Sequence, residues 1–125
     1  MSKIELSIGD VTLRAQLLDT PTAQAICAAL PIQSVARTWG EEVYFAVPVN
    51  VDKETDAKDV VESGELAFWV EGSCIAIGFG PTPISNGDEI RLAAKTNIWG
   101  KSIDDVRQLV HIKEGDAITV KSIPS

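Results

Sequence analysis

The chain has 125 residues, which fits one domain by the usual range of roughly 100–200 residues per domain, and 18 acidic against 11 basic side chains leave it at −7. That balance argues against a nucleic-acid binder, since neutralising phosphates needs clustered Lys and Arg. One histidine, His111, and two cysteines, Cys27 and Cys74, argue against a disulfide framework and fall short of the about four ligands of a structural zinc site; no metal and no cofactor is expected.

Met1-Ser2-Lys3-Ile4-Glu5 carries a charge at every second residue and has no apolar signal-peptide core. No apolar run approaches the roughly 18 residues of a membrane span. The expectation is a cytoplasmic protein of one domain over 1–125, with no membrane partner and with both cysteines as buried free thiols.

Ile4, Leu6 and Ile8 alternate with polar residues up to Gly9-Asp10, a two-residue Gly-X turn. Val11, Leu13, Ala15 and Leu17 continue the alternation, so Ile8 should face Val11, Leu6 face Leu13 and Ile4 face Ala15. A helix follows, with Thr20 as N-cap and Pro21 in the first turn. Its apolar stripe is Ala23, Ile26, Cys27 and Leu30, and Pro31 ends it. From residue 32 the pattern is β again, through Val35 and Val43 to Val47, with an edge or a break at Pro48.

Residues 52–65 hold six acids against two lysines, −4 of the −7, and read as an exposed loop with one helical turn at most. Glu65–Glu71, 74–79 and Ile90–Ile98 read as strands, with an irregular stretch from Gly80 to Gly87. Ser102 and Asp105 resemble a capping box that opens a helix with Ile103, Val106, Leu109 and Val110 as its stripe. Gly115-Asp116 is a turn, and Ala117–Ile123 is the last strand. Many short strands and two short helices favour an antiparallel barrel or sandwich with helices at its ends. The tryptophans at 39, 69 and 99 are evenly spaced, but their flanks differ and the spacing is read as coincidence.

No Gly-x-Ser-x-Gly motif or phosphate loop is present. His111 reads as a surface or cap residue rather than a general base. Glu41 and Glu42 are adjacent on an extended segment, so they point to opposite faces and cannot share a proton. One of them should face inward and need a partner such as Arg37 or a water. Trp39, Glu42, Tyr44 and Trp69, with the stiff turn Phe79, Gly80, Pro81 and Thr82, are the candidate ligand-binding residues at the mouth of a barrel.

Asp19-Thr20-Pro21-Thr22-Ala23 after a hairpin resembles the opening of the first cyclophilin helix. Ile98-Trp99-Gly100-Lys101 resembles a late cyclophilin strand. Trp39-Gly40-Glu41-Glu42-Val43-Tyr44-Phe45 and Phe79-Gly80-Pro81-Thr82-Pro83 resemble a small prokaryotic cyclophilin-like family of unknown function, over about residues 3–123. The resemblance implies a mainly β fold, a closed eight-stranded antiparallel barrel capped by two short helices. Cyclophilin isomerases use an arginine, and Arg37 falls in roughly the corresponding place. Their phenylalanine-methionine-x-glutamine run is missing, as is their pocket histidine, and the sole methionine is Met1.

Three readings follow. The first is a binding module for a small molecule or peptide. The second is a peptidyl-prolyl isomerase in which Arg37 alone would be catalytic. The third is a structural or partner-binding subunit, for which the strand broken at Pro48 admits a homo-oligomer. An acid, an arginine and aromatics suit binding better than proton transfer.

Overall fold

Apolar alternation on both sides of Gly9-Asp10 builds the first hairpin, and the computed structural model, which describes residues 3–123, places β1 at Lys3–Ile8 and β2 at Val11–Leu17. The register is the expected one: Ile8 opposite Val11, Leu6 opposite Leu13, Ile4 opposite Ala15. Gly9 takes φ +57°, the left-handed region that the first position of such a turn requires. Helix α1 (Pro21–Ala29) is capped by the Thr20 side chain, which accepts from the Ala23 N–H at 3.1 Å. Its buried side is Thr22, Ala23 and Ile26; Cys27 is only half-buried, against the expectation of a buried thiol.

The barrel closes through one bent strand. β3 (Ile32–Val35) and β4 (Arg37–Thr38) are separated only by Ala36. β3 pairs with β10 (Ala117–Ile123), and β4 pairs with β5 (Glu42–Ala46). At the bend the Ala36 N–H donates to the Asp116 carbonyl and the Ala36 carbonyl accepts from Gly115 N–H, both at 2.8 Å. Ser34 Oγ donates to the Ala46 carbonyl at 2.7 Å and stitches β3 to β5. The remaining strands are β6 (Lys58–Val61), β7 (Glu65–Trp69), β8 (Cys74–Gly78) and β9 (Ile90–Ser102). The sheet runs β3-β10-β1-β2-β9-β7-β8-β5-β4, antiparallel throughout. With β3 and β4 taken as one strand, eight strands go round a nearly closed barrel and β6 is a ninth, paired to β9 outside it.

β9 does two jobs along its length. Its second half, from Asn97, lies in the wall between β2 and β7. Its first half leaves the wall with β6 as an arm that folds over the outer face. The barrel interior holds Ile4, Leu6, Leu13, Val43, Phe45, Phe68, Ile75, Ile77 and Trp99, all 0 % exposed. A second, smaller cluster of Val61, Ala67, Ala76, Ile90 and Leu92 packs the arm onto the outer face.

Two expectations need correction. The acidic stretch is not simply a solvated loop: Lys58–Val61 is strand β6, and Glu65 is buried in β7, held by Lys58 at 2.8 Å and by the Glu62 N–H at 2.8 Å. The second helix is a short 3₁₀ segment, Val106–His111, capped by Asp105 rather than opened by Ser102. The reason is competition for amides. Ser102 N–H donates to Gly64 and Ile103 N–H to Arg14, both at 2.7 Å, so the sheet takes the turn that a longer helix would need. Ile103 and Val110 are consequently exposed rather than part of an apolar stripe.

Candidate binding site

The pleat of β5 decides where the site lies. Val43 and Phe45 fill the barrel interior, so Glu42 and Tyr44 point outward. Across the ladder, Tyr44 sits opposite Ala76 and Ala46 opposite Cys74; Trp69 of β7 sits opposite Cys74 in turn. These outward side chains and the arm form a partly open cavity of about 190 Å³, lined by Trp39, Glu42, Tyr44, Trp69, Cys74, Ala76, Leu92, Ala93, Ala94 and Thr96. The cavity therefore lies on the outer wall, while the inner face is filled by the large side chains of the core.

Small residues let the arm approach. Cys74, Ala76 and Gly78 alternate with Ile75 and Ile77, so the outer face of β8 is nearly flat. A Cβ at Gly78 would run into Ile90 Cγ2. In the β7–β8 turn, a Cβ at Gly72 would run into the Trp69 ring, so the missing side chain seats the indole. Trp39 is held by its N–H, which donates to the Glu42 carbonyl at 3.0 Å across a turn whose Gly40 has φ +59°.

Four of the expected site residues, Trp39, Glu42, Tyr44 and Trp69, thus meet in one cavity. Phe79, Gly80, Pro81 and Thr82 do not line it. Phe79 is buried in the core, and its carbonyl accepts from Arg107 Nη1 at 2.8 Å. The Pro81 carbonyl accepts from Glu41 N–H at 3.0 Å, and the Thr82 hydroxyl donates to the Arg91 carbonyl. A Cβ at Gly40 would lie 2.8 Å from both Thr82 Cα and Pro83 Cδ. The stiff turn is thus a corner that braces residues 39–42 and so positions Trp39 and Glu42 from behind.

The two neighbouring acids have opposite fates. Glu41 is paired with Arg107 at 3.1 Å at the end of the barrel. Glu42 is 6 % exposed, and its Oε1 has no hydrogen-bond partner among the described residues. Burial pushes its carboxyl up to about 7. Arg37, the partner expected for it, stands opposite Tyr44 but is exposed and makes no hydrogen bond to Glu42. Cys74, also on the cavity wall, has its thiol pushed up by burial. The residues that sequence reading missed are Cys74, Ala76, Thr96 and the Leu92–Ala94 run. Their signal was present as small outward residues in β8, the pattern of a face that accepts close cover.

His111 is exposed at the end of the 3₁₀ segment. Trp99, unlike the other two tryptophans, is inside the core and donates its indole N–H to the Ala67 carbonyl at 3.1 Å. No helix among the described residues is long and apolar enough to cross a membrane.

A family model described as cyclophilin-like matches residues 2–121. The solution structure of a hypothetical protein from Archaeoglobus fulgidus is similar, with 35 % identity and a TM-score of 0.82, covering 98 % of this chain and 95 % of that one. The structure of McbB in complex with tryptophan shares the fold at 15 % identity and a TM-score of 0.68; 98 % of this chain matches, spanning 45 % of that protein. No curated protein matches the chain.

Proposed function

The chain belongs to the cyclophilin-like family, and from that premise we propose that it is a binding module for a small molecule held in the outer-wall cavity beside Glu42. The observation that carries this reading is the buried Glu42 Oε1, unpartnered among the described residues, on a wall made mostly of aromatic and apolar side chains. A desolvated carboxyl without a donor costs about 1–3 kcal/mol or more. A ligand that supplies the donor recovers that loss. Apolar walls with a few converging polar groups are the usual make-up of small-molecule sites.

A thermal-shift screen against a metabolite library tests the reading, since a ligand of the native state raises the melting temperature by mass action. The expected hit loses its effect in Glu42→Ala and Tyr44→Ala. Binding that survives both substitutions places the ligand elsewhere and ends the proposal.

The isomerase reading rests on Arg37, on the cavity's side of the barrel yet outside its lining. Lowering a barrier of about 20 kcal/mol needs a donor aimed at the prolyl nitrogen. A proline-peptide isomerisation rate equal to that of buffer removes this reading.

A further inference from the structure

The chain has a second buried carboxylate, and it shows what Glu42 lacks. Glu65 receives Lys58 Nζ and the Glu62 N–H; Glu42 Oε1 receives nothing among the described residues. The other polar groups on the cavity wall are largely spent. Thr96 Oγ1 donates to the Lys58 carbonyl at 2.9 Å, and Cys74 Sγ donates to the Gly72 carbonyl at 3.3 Å. What remains for a ligand is one carboxyl, the Tyr44 phenol, the indoles of Trp39 and Trp69 with their N–H donors, and the faces or edges of three aromatic rings.

Such a wall selects by sign. An anion would stand against the buried Glu42 carboxyl, where like charges repel more than in open water. A cation gains both from the carboxylate and from aromatic rings, which attract cations through their quadrupoles. Size limits the choice further. A cavity of 150 Å³ holds benzene, so about 190 Å³ suits roughly ten non-hydrogen atoms. The chain's net charge of −7 also favours the approach of cations.

Resting on the binding reading above, we propose that the ligand is a small organic ammonium, its charge on Glu42 and its apolar body among Trp39, Tyr44 and Trp69. The ammonium supplies the hydrogen bonds that Glu42 lacks and keeps it ionised. At neutral pH its arrival releases the proton that burial retains on part of the Glu42 population. The other ionisable or charged groups around the cavity are Tyr44 on the same strand, Cys74 on β8 and Arg37 on β4; on the arm side Lys58 is already paired with Glu65.

The test is a charge series of near-isosteres titrated into the full chain by calorimetry: 2-phenylethylammonium, 2-phenylethanol and 3-phenylpropionate. The ammonium should bind about tenfold or more tighter than the alcohol, and the carboxylate should not bind. In Glu42→Gln the ammonium should lose about tenfold while the alcohol is unchanged. The series on the unsubstituted chain needs no variant to fold. An alcohol that binds as tightly as the ammonium overturns the cation and leaves the binding reading standing. If none of the three binds, but the library screen finds a neutral ligand sensitive to Glu42→Ala, the cation is again overturned. If the screen finds no ligand that depends on Glu42 or Tyr44, both fall together.

Discussion

Glu42 is the residue on which chemistry and stability meet. Its carboxyl, ordinarily near 4.5, is raised to about 7 by burial. The folded state therefore holds a proton that the unfolded chain has lost between those two values. Stability is full below the unfolded value and falls as pH rises through the folded one. At about 1.4 kcal/mol per unit, the loss above neutrality reaches up to about 3 kcal/mol. Glu42→Gln has nothing to titrate. It should match the parent near pH 4 and exceed it by about 1–3 kcal/mol at pH 8, measured by urea unfolding at both pH values. Parallel curves for the two proteins would contradict a buried, unpaired Glu42. Glu41, one residue away, is only half-buried and pairs with Arg107 instead, so two adjacent acids that alternate in direction meet different surroundings, one bridged and one stranded.

At the scale of elements, the arm is what turns a sheet face into a cavity. Gly78 is its contact point, and Gly78→Ala places a methyl against Ile90. Overpacking of this kind costs about 1–3 kcal/mol. The variant should unfold at lower denaturant and bind any cavity ligand more weakly, whereas an unchanged midpoint would mean that the arm is not held down there. The chain leading to the arm has its own anchor. Asn97 is fully buried; its amide accepts from Glu54 N–H at 2.8 Å and donates to Thr22 Oγ1 at 2.9 Å and to the Asp52 carbonyl at 3.0 Å. Thr22 also donates to Glu54. Asn97→Ala strands these groups and should cost about 2–4 kcal/mol by thermal or urea unfolding. Thr22→Val should lose a smaller amount, because the Asn97 contacts to residues 52 and 54 survive.

In the whole molecule, the bent strand β3–β4 nearly closes the barrel, and one core cluster draws on most strands and on α1. The expected consequence is a single cooperative transition. Tryptophan fluorescence reports Trp39 and Trp69 outside the barrel as well as Trp99 within it, while far-UV dichroism reports the sheet. Their urea transitions should coincide. An earlier fluorescence change would mean that the outer layer opens before the barrel. The charge of −7 also has a definite shape. Much of it sits in residues 52–65, where Lys58 pairs with Glu65, Asp59 with Arg91 and Lys53 with Glu71 beyond the stretch. The exposed pairs among these contribute little each, so raising salt should shift the midpoint only slightly.

The first hairpin was legible to the residue, because a period of two and a two-residue turn leave one register that buries Ile4, Leu6 and Ile8 together. The cap of α1 was legible for a similar reason: Thr20 and Pro21 act within one turn of backbone. Trp39, Glu42, Tyr44 and Trp69 were recognisable as a group by their chemistry, and the family motifs carried the barrel. Local pattern determines which side chains share a strand face and little beyond that. Whether Glu42 faces a core, a mouth or a covered outer wall depends on which face of β5 the rest of the barrel occupies, and that is settled by strands far away in the chain. The arm is the clearest case. Lys58–Val61 looks like solvated loop by charge and becomes strand because β9 offers it an edge; Ser102 looks like a helix cap and stays in the sheet because Gly64 takes its amide. In each case a long-range hydrogen bond outweighs a local preference worth a kcal/mol or so, and only the tertiary structure holds that bond.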